Sequence, residues 1–217
     1  MTAANVDRRF GEDPLPQTVA AAGALRRITE LLLAQEFPQP VVDEMLTRFA
    51  DWERRLAATA PPDSAPRLAG DDERKRIYLQ HAFNPGVYNP CFPEYEFDHL
   101  DEETASGTVT FPAVFEGPPG LVHGGFLGVF FDTVAQHQSC AVALAGKTRS
   151  LTVTYRRPTP ILTELRFDIV RAETDTGLLS TARLLLGDEV LCTGEISTVA
   201  LPPSALAGSR FGERRRS

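Results

Sequence analysis

One stretch restricts the folds open to this chain more than any other. Residues 120–144 read Gly-Leu-Val-His-Gly-Gly-Phe-Leu-Gly-Val-Phe-Phe-Asp-Thr-Val-Ala-Gln-His-Gln-Ser-Cys-Ala-Val-Ala-Leu, and the spacing predicts a helix. Its apolar residues, among them Phe126, Leu127, Phe130, Phe131, Val134 and Ala135, occupy nearly the whole circumference. A helix of that kind has to be enclosed by protein, because no side of it suits water. Gly124 and Gly125 open it directly after His123. The first N–H groups of a helix lack intrahelical partners and carry partial positive charge, and a glycine puts no Cβ between them and a ligand. Nine residues after His123, Asp132 interrupts the apolar run. A carboxylate in such surroundings needs a partner or a chemical task.

The flanks supply what could enclose the helix. Residues 95–100 form a short strand, and 107–115 alternate with Val109, Phe111, Ala113 and Phe115 on one face. After the helix, 148–156 alternate again, Leu151, Val153 and Tyr155 against Ser150, Thr152 and Thr154. Strands over 163–174, 178–186 and 190–200 follow, with tight turns between them that indicate an antiparallel meander. Two strands, an apolar helix and four strands are satisfied most economically by one antiparallel sheet wrapped around one long central helix, an α+β architecture.

Ahead of the strands the pattern changes. Residues 1–16 read as a loose arm. Residues 18–35 have helical spacing, with Val19, Ala22, Leu25, Ile28, Leu31 and Leu32 on one side, and Pro38 and Pro40 end the run. A second helix over 41–58 carries Val42, Met45, Leu46, Phe49, Trp52 and Leu56. Such a hairpin has apolar faces too small to stand alone and should dock on something. It reads as a structural appendage, with a lid or an oligomer clamp as the functional alternative. Residues 60–74, rich in proline and charge, read as a linker, and 77–93 interleave turn signals with Phe83, Tyr88 and Phe92. The expected organisation is therefore an arm, helical hairpin and linker over 1–74, a folded domain over 75–203, and a disordered tail over 204–217.

Val122-His123-Gly124-Gly125, in this order of elements, resembles the hotdog-fold acyl-CoA thioesterases, in the branch with the phenylacetate-pathway thioesterases and the human thioesterase-superfamily members. The family signature, Gly-x-x-His-Gly-Gly with an acidic residue nine positions after the histidine, is matched by Gly120, His123, Gly124, Gly125 and Asp132. Tyr155-Arg156-Arg157-Pro158 is similar to the Tyr-x-x-Pro that ends a strand in several relatives. The likeness spans roughly residues 80–200. It implies a hotdog fold with an N-terminal helical extension, and hydrolysis of an acyl-CoA or acyl-carrier-protein thioester. The amide N–H near Gly124 or Gly125 would bond the thioester carbonyl, Asp132 would act as nucleophile or as general base, and Thr148 would help hold the water or the carboxylate. His123 would shape the turn and pocket. His123, Thr133, Asn89, Arg156 and Arg157 are candidate substrate contacts, and Lys147 and Arg149 add to the positive charge available for coenzyme A phosphates. Some relatives carry a polar amide six positions before the histidine, where this chain has Gly117.

Thioester hydrolysis needs a held carbonyl, a donor for the developing oxyanion and an activated oxygen. On one helix Gly125 and Asp132 stand about 10 Å apart, and one carbonyl cannot reach both. A working site must then draw the helix start from one copy and the aspartate from another, which makes the expected assembly a homodimer with two composite sites. Pairing into a dimer of dimers stays open. The alternative reading is a non-catalytic acyl-thioester binding or regulatory protein in which Asp132 is structural. A net charge of −7 argues against nucleic acid. Three cysteines without pair-like spacing suggest a reducing compartment. The first residues lack a secretory segment, and no uncharged run approaches the roughly 20 residues of a membrane helix. A cytoplasmic protein is expected. The four histidines and three cysteines show no zinc-like spacing. No metal is expected, and no cofactor beyond the coenzyme A of the substrate.

Overall fold

The computed structural model describes residues 15–59, 84–141, 145–175 and 177–201. The linker expected over 60–74, the tail over 204–217 and nearly all of the N-terminal arm lie outside the described residues. Two helices, α1 (Pro16–Leu33) and α2 (Pro40–Thr59), precede strands β1 (Tyr95–Leu100) and β2 (Thr104–Thr110). Helix α3 (Gly124–Ala141) follows, and then β3 (Ala145–Tyr155), β4 (Glu164–Thr174), β5 (Gly177–Leu186) and β6 (Glu189–Leu201). The strands form one six-stranded sheet of order β1-β2-β4-β5-β6-β3, antiparallel throughout. Its inner face covers α3, the hotdog arrangement that the resemblance implies.

The core follows from the two periodicities. Leu165, Phe167 and Ile169 of β4 and Ala182 and Leu184 of β5 alternate inward and are almost fully buried. They meet Leu127, Phe130, Phe131, Val134 and Ala135 of α3. Phe130 lies at the centre of an aromatic cluster, edge-on to Phe111 at 5.5 Å, Phe167 at 5.4 Å and Tyr95 at 6.2 Å between centroids. Such pairs add about 0.5–1.5 kcal/mol each beyond the area they bury. Burial pushes the Tyr95 phenol well above its ordinary pKa. It stays neutral, hydrogen-bonded to His137 Nδ1 at 2.9 Å.

The expected meander is found in β4, β5 and β6, and β3 lies beyond β6 at the sheet edge. Residues 156–163 carry the chain back across. They are tied to the approach of α3 by Val122 N–H to Thr159 O (2.9 Å) and Ile161 N–H to Gly120 O (3.1 Å), and to the end of β2 by Leu162 N–H to Phe111 O (2.8 Å). The second strand was expected over 107–115, yet β2 ends at Thr110 and a 3-10 turn occupies Ala113–Phe115. Pro112, between them, has no N–H for a ladder. Phe111 and Phe115 are buried on either side of it.

The N-terminal helices dock differently from the expected apolar faces. Of the stripe on α1, Ala22 is buried while Leu25 and Leu31 are exposed. The anchor is polar. Both terminal nitrogens of the buried Arg26 donate to Gly86 O at 2.7 Å, one of them also to Glu94 Oε2 at 3.0 Å. Glu30 Oε1 accepts from Ala113 N–H at 3.1 Å. Helix α2 has no buried residue, and Leu46, Trp52 and Leu56 are exposed. Among the described residues no helix is long and apolar enough to cross a membrane.

Phe130→Ala should cost about 3–5 kcal/mol, because the cavity it leaves is walled by rings that cannot collapse into it. Urea unfolding followed by far-ultraviolet circular dichroism measures this, and a loss below about 1 kcal/mol would show that the core does not depend on this ring.

Candidate active site

The start of α3 is built by the loop before it. His123 N–H donates to Phe115 O at 2.9 Å, and Phe126 N–H to His123 O at 2.9 Å. The exposed His123 ring accepts the Gly125 N–H on Nδ1 at 3.0 Å. A neutral ring that accepts on Nδ1 carries its proton on Nε2. Of the two glycine amides that the sequence leaves open, Gly125 is thus already engaged. The N–H of Gly124 has no partner among the described residues. The Tyr155 hydroxyl donates to Gly124 O at 3.0 Å. A Cβ on Gly124 would lie 3.0 Å from that hydroxyl and 3.1 Å from the ring carbon bearing it, so a side chain there would press on the Tyr155 ring and push it aside by a few tenths of an ångström. Gly117 backs the histidine more tightly, since a Cβ there would fall 2.8 Å from His123 Cα and Cβ. The polar amide that some relatives carry at this position has no room here.

At the other end of the rod stands the carboxylate. Helix α3 runs antiparallel to β3, with Gly124 against Tyr155, Gly128 against Leu151 and Asp132 against Thr148. Thr148 Oγ1 donates to Asp132 Oδ1 at 2.5 Å, and Gln136 Nε2 donates to Thr148 Oγ1 at 2.9 Å. Asp132 is half-buried and Thr148 exposed. Simple alternation from Tyr155, Val153 and Leu151 would turn Arg149 toward the helix. Instead the pairing with β6 slips between Thr148 and Ser150, which sit opposite Thr198 and Ser197. That one-residue bulge reverses the facing of what precedes it and brings Thr148 to the acid.

The structure thus joins Asp132 with Thr148, and His123 with Gly124 and Gly125. Other candidates stand apart. Thr133 is buried, and its hydroxyl donates to Val129 O at 2.6 Å within the helix. Asn89 lies in the turn before β1, where its Oδ1 accepts from Cys91 N–H at 3.1 Å. Arg156 and Arg157 follow β3 at the Gly124 end, Arg157 paired with Glu189 Oε1 at 2.8 Å. Lys147 and Arg149 flank Thr148 at the opposite end, so these four cations form two groups rather than one. His137 packs against Tyr95 and Phe97. Among the described residues no three His, Cys, Asp or Glu side chains gather as a metal site requires. Gln136 is the member of the acid's group that the motif does not single out. Its spacing of four residues from Asp132 places both on one helix face, and that spacing is the signal for it.

No family model matches the chain, and no curated protein matches it. Solved structures do. A thioesterase superfamily protein superposes with a TM-score of 0.71 at 24% identity, over 87% of this chain and 94% of that one. This likeness shows the fold. Coverage of 87% reaches well beyond β1–β6 and α3, so the shared architecture includes helical residues ahead of the sheet. Two further structures cover 50% of this chain and 90% of their own, each with a TM-score of 0.47. One is a hypothetical thioesterase protein with coenzyme A from Streptococcus pneumoniae, 14% identical, and the other a Streptococcus mutans protein bound to acetyl-CoA, 11% identical.

Gly117→Val should lower stability by about 1–3 kcal/mol, because the added carbons press on the backbone of His123 rather than on a movable side-chain tip. Denaturant midpoints of the two proteins measure it.

Proposed function

We propose that the chain hydrolyses an acyl thioester, carried by coenzyme A or by an acyl-carrier protein, to the free acid and thiol. The observation that carries this reading is the Thr148-bound carboxylate of Asp132 on the same helix that begins with a Gly124 N–H without a partner among the described residues. These are the two groups that thioester hydrolysis requires, an activator of oxygen and a donor to the carbonyl. In the general-base route Asp132 takes a proton from water as the water oxygen bonds to the carbonyl carbon. The carbonyl electron pair moves onto oxygen, where the Gly124 N–H meets it. Collapse breaks the carbon–sulfur bond, and the departing thiolate takes up the proton that Asp132 accepted. In the nucleophilic route Asp132 itself bonds to the carbonyl carbon and expels the thiolate, and water then cleaves the mixed anhydride. The Thr148 hydroxyl occupies Oδ1 in the structure, and in either route Oδ2 is the oxygen that acts.

Eight steps of continuous helix separate Gly124 from Asp132, about 12 Å of rise, so the two cannot serve one carbonyl within a copy. The sheet edge suggests how two copies would solve this. Among the described residues strand β3 pairs only with β6. Antiparallel pairing of its free edge with the same strand of a second copy sets the Tyr155 end of one beside the Thr148 end of the other. Because Gly124 stands at the first end and Asp132 at the second, each site draws its amide from one copy and its acid from the other. Arg156 and Arg157 then lie near the partner's acid, where they are candidates for the phosphates of coenzyme A.

Release of free thiol from a panel of acyl-CoAs tests the reaction. Asp132→Asn should lower kcat by about 10²–10⁴-fold while leaving coenzyme A binding intact. Full rate in that variant removes Asp132 from the mechanism, and a wild type that binds acyl-CoA but turns over none of the panel favours the non-catalytic reading. Light scattering should give about twice the chain mass of 23.8 kDa. Random pairing of Asp132→Asn copies with Gly124→Pro copies, each inactive alone, should recover roughly a quarter of the wild-type rate, since half the dimers keep one intact site.

A further inference from the structure

We propose that Gln136 is a positioning residue for this reaction, acting on Asp132 through Thr148. The inference rests on the hydrolytic reading and adds a third member that the motif does not contain. Gln136 follows Asp132 by one helical turn, and both side chains converge on the same hydroxyl. The chemistry of that convergence fixes every hydrogen in it. An ionised carboxylate only accepts, so the 2.5 Å contact between Thr148 Oγ1 and Asp132 Oδ1 consumes the single hydrogen of the hydroxyl. The Thr148 oxygen then has lone pairs alone to offer Gln136. The amide must therefore present its NH2 group, the orientation found at 2.9 Å. Turned the other way, the amide oxygen would compete with Asp132 for the same hydrogen.

Gln136 therefore acts as a latch on a rotor. A threonine hydroxyl can swing its hydrogen among several acceptors, and exposed Thr148 has water as one of them. An N–H directed at its oxygen leaves the hydrogen one favourable direction, toward Asp132. Chained donors of this kind also polarise one another, so the bond to Asp132 gains strength from the bond behind it. The carboxylate plane is thereby held with Oδ1 engaged and Oδ2 turned to the substrate. Gln136 touches neither substrate nor reacting oxygen. Its loss should disturb the orientation of the acid and leave the binding of the thioester alone.

The bulge in β3 supports the assignment. It turns Thr148 inward at the position where the helix presents Asp132 and, one turn on, Gln136. A glutamine serving only as surface cover would not need the hydroxyl placed between itself and the acid.

The test is a double-mutant cycle on the full-length protein, read by steady-state release of thiol from the best acyl-CoA. Gln136→Met keeps the length of the side chain and removes the donor. It should lower kcat roughly 3- to 30-fold with KM within about twofold, at unchanged melting temperature. Gln136→Glu should be worse than Gln136→Met, because a carboxylate there takes the Thr148 hydrogen from Asp132. Thr148→Val should lower kcat by more than Gln136→Met, and adding Gln136→Met to Thr148→Val should change kcat no further, since the latch has nothing left to hold. Multiplying effects in the double variant, or a rise in KM with kcat intact, would overturn the proposal while the hydrolytic reading stands. An active Asp132→Asn enzyme or a wild type without turnover overturns both.

Discussion

The fold depends on a helix that has almost no side fit for water. Once residues 124–141 coil, Phe130, Phe131, Leu127 and Val134 need cover, and burying each such side chain is worth about 1.5–3 kcal/mol. The inward-facing residues of the sheet supply that cover. Toward the edge strand β3 the helix shows Gly124, Gly128, Asp132 and Gln136, a row one turn apart. Asp132 and Gln136 on that row stay partly accessible, whereas Thr133, Gln138 and Ser139, polar residues elsewhere on the helix, are buried. The constraint that folds the chain thus also decides which polar side chains of the helix stay within reach of solvent.

It also sets the spacing between Gly124 and Asp132. A loop could bring an amide and an acid together or hold them apart, whereas a helix fixes their separation by its rise. The segment 156–163 strengthens the arrangement, because its hydrogen bonds to Gly120, Val122 and Phe111 hold the helix start against the sheet. His123, braced behind by Gly117, takes up one of the exposed donors and leaves the neighbouring one open. Gly124 and Asp132 thus stand at fixed positions on one helix.

Much of this was legible in the sequence, and what was not shares a cause. The order of elements, the enclosing sheet and the glycine start follow from periodicity and local chemistry, which a linear reading captures. The bulge does not. It is a relation between Thr148 and Ser150 on one strand and Thr198 and Ser197 on another, and nothing in residues 145–155 alone announces it. Strict alternation would have turned Thr148 away from the acid, and only the family resemblance pointed to it. The docking of α1 was missed for a similar reason. Apolar spacing suggested Leu25 and Leu31 as the contact, while the contact actually made belongs to Arg26 and a carbonyl 60 residues away. The place of β3 beyond β6 likewise depends on how residues 156–163 cross the helix start, a tertiary fact. Pro112 was a plain local signal that β2 stops early, outweighed by the alternation of the aromatic residues around it.

The position of α2 bears on how this molecule can be watched. The chain has one tryptophan, Trp52, and it lies on that helix, half exposed and tilted against Phe49 at 5.6 Å. Indole emission therefore reports the condition of the appendage, while the aromatic core, built from phenylalanine and Tyr95, is silent at those wavelengths. If the helical pair loosens before the sheet opens, a fluorescence melt and a dichroism melt will give different midpoints. Agreement between probes is what licenses a two-state description, so a single stability taken from tryptophan alone would then assign to the core of sheet and helix a number belonging to its attachment.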